Sequence, residues 1–221
     1  MPGLQPLLAD RDLAGMVVTA DALHTHRDAA EFLVVAKRAH YLFTVKANQP
    51  TLLKRCAELA WHRVPVLDRT RDQAHGRVEI RTLKAVTVHH FGFPHAAQVI
   101  QVTRRRRVGG LGGGAPARRW QTVTAYAITS LSAAQASPAR LADCIRGHWG
   151  IENGLHWVRD VTFAEDGSQL RTGTAPQVTA YLRNLVIGVL SRAGPVNLAA
   201  ALRHHSRDPW RPLAILGISL R

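Results

Sequence analysis

Two acidic residues stand where acids could do chemistry. Asp21 follows the short apolar run Met16-Val17-Val18 and the pair Thr19-Ala20. Glu152 lies in RGHWGIENGLHWVRDVTFAED, residues 146–166, among two His-Trp pairs and several basic side chains. A carboxylate in that setting is either a structural ion-pair partner or a functional group. Two carboxylates brought together can share hard divalent ions, since Mg2+ takes oxygen ligands and keeps waters and substrate phosphates in its other positions. Two such ions about 3.5–4 Å apart activate a nucleophile and stabilise the leaving oxygen of phosphoryl transfer. That chemistry normally needs a third carboxylate. Other chemistries find less support. His148 and His156 would sit two helical turns apart, too far for the i, i+4 pair that grips one zinc ion. No Gly-x-Ser-x-Gly elbow occurs, and neither cysteine has a triad setting.

The charge balance speaks to a partner. Lys and Arg number 29 against 15 Asp and Glu, a formal +14 with His neutral, and most of the excess is Arg. The planar guanidinium suits phosphate, so a polyanion, most simply nucleic acid, is expected; the alternative is an Arg-rich composition with no such partner. At 221 residues and 46 % hydrophobic content, the chain can bury one sizeable core or a core plus an insertion. It has no apolar run of about eighteen residues, so no membrane partner is expected. Its first residues lack a basic-then-apolar signal pattern, so a cytoplasmic protein is expected. Cys56 and Cys144 form no metal spacing or disulfide framework and read as two reduced core thiols.

The elements that must position the acids can be read in order. GMVVTADAL predicts a buried strand, with Asp21 at or just beyond its C-terminal end. In open α/β sheets that edge is where functional groups gather. An Asp there also suits a helix N-cap, and the two roles are compatible. HTHRDAAEFLVVAKRA predicts a helix, Tyr41 to Lys46 a second strand closed by Asn48 and Pro50, and TLLKRCAELAWHR another helix. Strand–helix–strand–helix order implies a right-handed parallel unit, so Asp21 and Lys46 should emerge on one edge. From about Trp61 to Leu131 the chain turns β-rich, as expected of an antiparallel insertion between two parts of an α/β core. Here Arg104, Arg105, Arg106 and Arg107 precede the Gly-rich GGLGGGAPA. No Lys-Ser/Thr follows it, so a nucleotide P-loop is not expected. A flexible hairpin tip with basic flanks could touch a DNA backbone or be only a solvated loop.

Ser137-Pro138 should start a helix by a Ser cap with Pro in the first turn. Carried through Glu152 to about Arg159, it would place His148, Glu152, His156 and Arg159 on one narrow face. Pro176 should open a further helix ended by Gly194, its stripe of Val178, Tyr181, Leu182, Leu185, Val186, Val189 and Leu190 read as core packing. A short helix and a Pro-punctuated tail follow. The division expected is a core over 1–60, a β-rich insertion over 61–131, a helical part of the core over 132–194 and a tail over 195–221.

Four stretches carry a resemblance: VVTADALHTH from Val17, YLFTVKANQP from Tyr41, HGRVEIR from His75, and RGHWGIENGLHWVRDVTFAEDGSQLRTGTAP from Arg146. On these the chain resembles the ISAs family of bacterial insertion-sequence transposases, within the DDE transposases with an RNase H-like core. The resemblance implies DNA cleavage and strand transfer at insertion-sequence ends and target DNA, dependent on Mg2+ or Mn2+. It makes Asp21 the second Asp of the catalytic triad and Glu152 its Glu, both metal ligands. Counting the family's Tyr-Arg-Glu-Lys signature from Glu152 reaches Ile145, His148 and Arg159. Only the last keeps the type, and His148 and Arg159 become candidates for DNA or phosphate contacts. The family's first Asp lies on a strand well upstream of the second, and Asp10 and Asp12 stand too close to replace it. The expectation is therefore a C-terminal portion with an incomplete RNase H-like core, inactive alone, with an apolar strand edge exposed. The alternatives are a non-catalytic DNA-binding remnant and one half of a split transposase completed by a separately encoded N-terminal fragment.

Overall fold

A six-stranded mixed sheet organises the first of two units, residues 1–148 and 149–221. The structure, a computed structural model, describes residues 4–74, 77–108, 119–151, 158–165, 167–194 and 197–218. After a short helix α1 (Leu4–Leu8), the apolar run forms β1 (Val17–Ala20). A 3-10 turn (Ala22–His24) leads to α2 (Arg27–Glu31), which widens into a π-helical turn (Phe32–Ala36). The chain returns as β2 (His40–Val45), parallel to β1 and paired from Val17–His40 to Ala20–Phe43. Pro50 then opens α3 (Pro50–Ala57), where its missing N–H leaves nothing unsatisfied.

The β-rich stretch forms an antiparallel meander of β3 (Asp68–Ala74), β4 (Arg77–Thr87), β5 (Gln98–Val108) and β6 (Gln121–Thr129). Its last strand lies antiparallel against β2, with Leu42 opposite Thr129 and Val45 opposite Tyr126. The order is β1-β2-β6-β5-β4-β3, so these strands continue the sheet begun by the parallel pair. The fold is mixed α/β, as the sequence predicts. Strand β3 was not foreseen. Its sequence, DRTRDQA, has no apolar alternation, and it is an outer strand paired to β4 alone, where charged residues are tolerated.

Alternation along the strands feeds two core layers. On one face Tyr41, Phe43, Val99 and Ile128 pack with Leu33, Leu52 and Trp61. On the other Leu42, Leu83, Ile100 and Ala127 meet Leu141, Ala142 and Ile145 of α4 (Pro138–Ile151). Each fully buried Leu, Ile or Phe contributes roughly 1.5–3 kcal/mol. Ser137 begins α4 as expected, its Oγ accepting from the Arg140 N–H at 3.3 Å. Both cysteines are free. Cys56 is fully buried and its thiol is pushed up to about 12 by desolvation.

The second unit contains a π-helical turn (Val158–Thr162), α5 (Ala175–Arg192), α6 (Leu198–Ser206) and α7 (Trp210–Ile215). Gly194, at φ 86°, stands just past the end of α5, a conformation an L side chain resists. Asn197 caps α6 by accepting from Ala200 N–H at 2.9 Å. The α5 stripe is not wholly core. Ile187 and Leu190 are buried, whereas Val178, Tyr181, Leu182 and Leu185 are exposed. Helices of nine and six residues are too short to cover one of eighteen. No helix among the described residues is long and apolar enough to cross a membrane.

Candidate functional site

Parallel pairing of β1 and β2 brings their C-terminal ends to one edge. Asp21 follows β1 and Lys46 follows β2, and the Lys46 ammonium lies 2.9 Å from Asp21 Oδ1. Three side chains tie the two following loops together. The Thr25 hydroxyl donates to the Thr44 carbonyl at 2.7 Å, Asn48 Nδ2 to the Ala22 carbonyl at 2.7 Å, and Gln49 Nε2 to the Thr25 carbonyl at 2.9 Å. Thr25 is fully buried. Sequence reasoning missed this brace, although both halves lie within the stretches VVTADALHTH and YLFTVKANQP that carry the resemblance. The brace fixes the backbone beneath Asp21 and leaves its carboxylate facing solvent, 37 % exposed.

Asp21 occupies the N-cap position of the 3-10 turn, with extended backbone at φ −72° and ψ 167°, and its side chain makes no capping hydrogen bond. The carboxylate is left to other partners. Partial burial pushes its pKa up, but the hydrogen bond from Lys46, the Ala22 amide and the charges of Lys46 and His148 outweigh this. The net effect holds the carboxyl below its ordinary value, so Asp21 is ionised at neutral pH. His148, on α4, is thus close enough for its charge to act on Asp21. Its Nδ1 is buried without a hydrogen-bond partner among the described residues. Asp21, Lys46 and His148 come together; Glu152 and His156 lie outside the described residues.

An ionised oxygen donor beside an ammonium can take a hard cation, with Lys46 displaced, or help to seat a phosphate. The donor set is short for a metal. Among the described residues no three His, Cys, Asp or Glu side chains group closely enough to hold an ion. Among the described residues Asp21 fits Mg2+ in chemistry but not in number.

The four consecutive arginines separate. Arg104 and Arg106 point to one side of the sheet. Arg104 is bound by Glu79 at 2.6 Å, and Arg106 donates to Gln121 at 2.8 Å. Arg105 and Arg107 point to the other side, each with its guanidinium carbon 5.1 Å from the Trp120 ring centre. The Gly-rich segment following them, residues 109–118, lies outside the described residues. In the second unit Arg159 grips Glu165 in a two-pronged pair, Nε to Oε2 at 2.6 Å and an Nη to Oε1 at 2.8 Å. Arg183 adds its charge at 3.9 Å. A phosphate would have to compete with that carboxylate for Arg159.

The chain is similar to three curated proteins of Escherichia coli. YbfL of strain K12 is 28 % identical over 202 residues, covering 84 % of this chain and 50 % of that protein. YhhI of strain K12, named as a candidate H repeat-associated transposase, is 27 % identical over 202 residues with the same coverage. YncI of strain O157:H7, named as a candidate transposase, is 26 % identical over 196 residues, covering 81 % of this chain and 46 % of that protein. The chain spans about half the length of the curated relatives it matches. The family model described as the transposase DDE domain matches residues 1–188, and by that match the chain belongs to the transposase DDE domain family.

Proposed function

We propose that this chain carries part of the DNA cleavage and strand-transfer centre of an insertion-sequence transposase of the ISAs type, on an RNase H-like sheet. The observation that carries the reading is Asp21. It is held ionised at the C-terminal edge of a parallel strand pair, beside Lys46, within the family-matched span. In this reading Asp21 and Glu152 are acidic ligands of Mg2+ or Mn2+, and the metal supplies activation of the attacking oxygen and stabilisation of the leaving one. Lys46 and His148 lie beside Asp21 to meet the phosphate backbone, Arg159 is a further contact, and the arginines of β5 hold DNA. Residues 1–60 and 132–194 supply the core, 61–131 the β-rich insertion and 195–221 the tail. Two acids are an incomplete ligand set, so this chain taken alone should cleave DNA poorly. The separately encoded fragment considered from the sequence finds no support in the comparisons.

Iron-mediated protein cleavage tests the ligands without requiring turnover. Fe2+ replaces Mg2+, and with ascorbate and peroxide it cuts backbone close to its site. Cuts near residues 21 and 152 that Mg2+ suppresses and Asp21→Asn abolishes are expected. Cuts unaffected by Asp21→Asn would sink the role given to Asp21. A nicking assay with Mg2+ tests incompleteness separately, because robust cleavage lost in Asp21→Ala would show that the chain's own acids suffice.

A second reading, a DNA-binding protein without catalysis, is favoured by the ion pair that occupies Asp21 and by the chain's formal charge of +14. It expects salt-sensitive, sequence-poor binding that survives Glu152→Ala, with no iron-directed cuts.

A further inference from the structure

We propose that one face of the β3–β6 sheet, built on Arg69 and Arg71 and on Arg105 and Arg107 held over Trp120, binds nucleic-acid phosphates at a surface separate from the Asp21 edge. The proposal deepens the DNA-binding part of the function proposed above and rests on it. Strand register supplies the first argument. Directly opposed residues of antiparallel strands share a face, and neighbours along a strand alternate. Arg105 stands opposite Ile80 and Thr122, Arg107 opposite Val78, and Arg69 and Arg71 opposite Thr82 and Ile80. These residues share a face on which β3 to β6 place no acidic side chain. Among the described residues no ion pair engages any of the four arginines.

The opposite face shows what neutralisation looks like. Glu79, 3 % exposed, binds Arg81 and Arg104 there, and Asp72 reaches Arg81 at 3.5 Å. A face with four arginines and no acid among them is complementary to a polyanion. The apolar and hydroxyl residues between the arginines leave the guanidiniums as the strongest donors on this surface. Trp120 gives the second argument. Two guanidiniums over one indole are held by cation–π attraction and are limited in the rotamers they sample. Less side-chain freedom is then lost on gripping phosphate. Trp120 acts here as a positioning residue.

Fluorescence anisotropy of a labelled random-sequence duplex, read across a salt series, tests the surface on the full chain. Arg105→Gln/Arg107→Gln and Arg69→Gln/Arg71→Gln should each weaken binding about tenfold at low salt. Each should also reduce the salt slope by about 2, since each phosphate contact adds roughly 0.9. The charge-matched control Lys54→Gln/Arg63→Gln, two exposed residues of α3 and the turn after it, should change both far less. Equal losses in all three doubles would mean that affinity follows net charge alone, and would overturn the proposal. Trp120→Phe should keep most of the affinity that Trp120→Ala loses; wild-type affinity in Trp120→Ala would overturn the positioning role. Unchanged melting temperatures confirm that the variants fold. Binding is read without cleavage, so the two readings fail separately. Loss of the Asp21-dependent iron cuts leaves this surface standing. Intact binding in the arginine doubles removes it and leaves the acids untouched.

Discussion

Asp21 and Glu79 are both carboxylates held below their ordinary pKa by basic neighbours, yet they sit in opposite circumstances. Glu79 projects from β4 with a side chain 4 % exposed, clasped by Arg81 on the same strand and Arg104 on β5. Asp21 ends a strand at a sheet edge with one lysine partner, and its side chain and that of Lys46 are 37 % and 56 % exposed. A depressed pKa therefore does not by itself mark a functional acid, because structural networks produce it too. Access separates them. A ligand can reach Asp21 by displacing one solvated ammonium, whereas reaching Glu79 would break two ion pairs of a buried carboxylate.

The sharpest way to break this contrast is to remove each acid. Glu79→Ala should destabilise the fold by about 3–5 kcal/mol, because Arg81 and Arg104 lose their pairs to a buried carboxylate. Urea unfolding gives the value, and a loss below about 1 kcal/mol would mean the cluster is no more structural than a surface pair. Acid should expose the same difference. Desolvation raises the Glu79 pKa, but the Arg104 hydrogen bond and the charges of Arg81, Arg104 and Arg77 lower it further, and the net shift is downward. A depressed carboxylate contributes stability that is fully present above its unfolded value, near 4.5, and is lost as pH falls through the folded value. The wild-type chain should therefore lose more stability than Glu79→Gln as pH drops below about 4.5, with the two converging in acid. Parallel pH profiles would remove Glu79 as a source.

Asp21→Asn should cost at most about 1 kcal/mol, the range of exposed ion pairs, while abolishing iron-directed cutting near residue 21. A larger stability loss with cutting intact would reverse the roles given to the two acids. The smallest effect expected is from Lys46→Gln. It should change stability by only a few tenths of a kcal/mol and, by freeing the Asp21 carboxylate, strengthen Mn2+ binding followed by electron paramagnetic resonance. Weaker Mn2+ binding would make Lys46 a support of the site instead of a competitor.

Much of the edge was legible in the chain itself. The apolar run before Asp21, the helix-period stretch after it and the second strand ending at Lys46 dictate a parallel unit, and parallel strands deliver both ends to one side. Local sequence pattern also sufficed for β4, β5 and β6, which are rich in the Val, Ile, Thr and Tyr that favour strands. It failed at β3, where an outer strand needs no apolar face. It also misjudged the α5 stripe, because a helical stripe shows what could be buried and not how much neighbouring surface exists to bury it.

By itself, the sequence determined the positive charge, the strand–helix–strand frame, and the placing of Asp21 and Lys46 at one edge. These follow from local propensity and from the handedness of parallel connections. Only the tertiary structure decided which side each of four consecutive arginines takes, that Glu79 binds Arg81 and Arg104 on one side while Trp120 holds Arg105 and Arg107 on the other, and that Thr25, Asn48 and Gln49 lock the loops beneath Asp21. Those outcomes depend on strand register and on contacts between residues far apart in the chain, and a one-residue change of register would exchange the two faces.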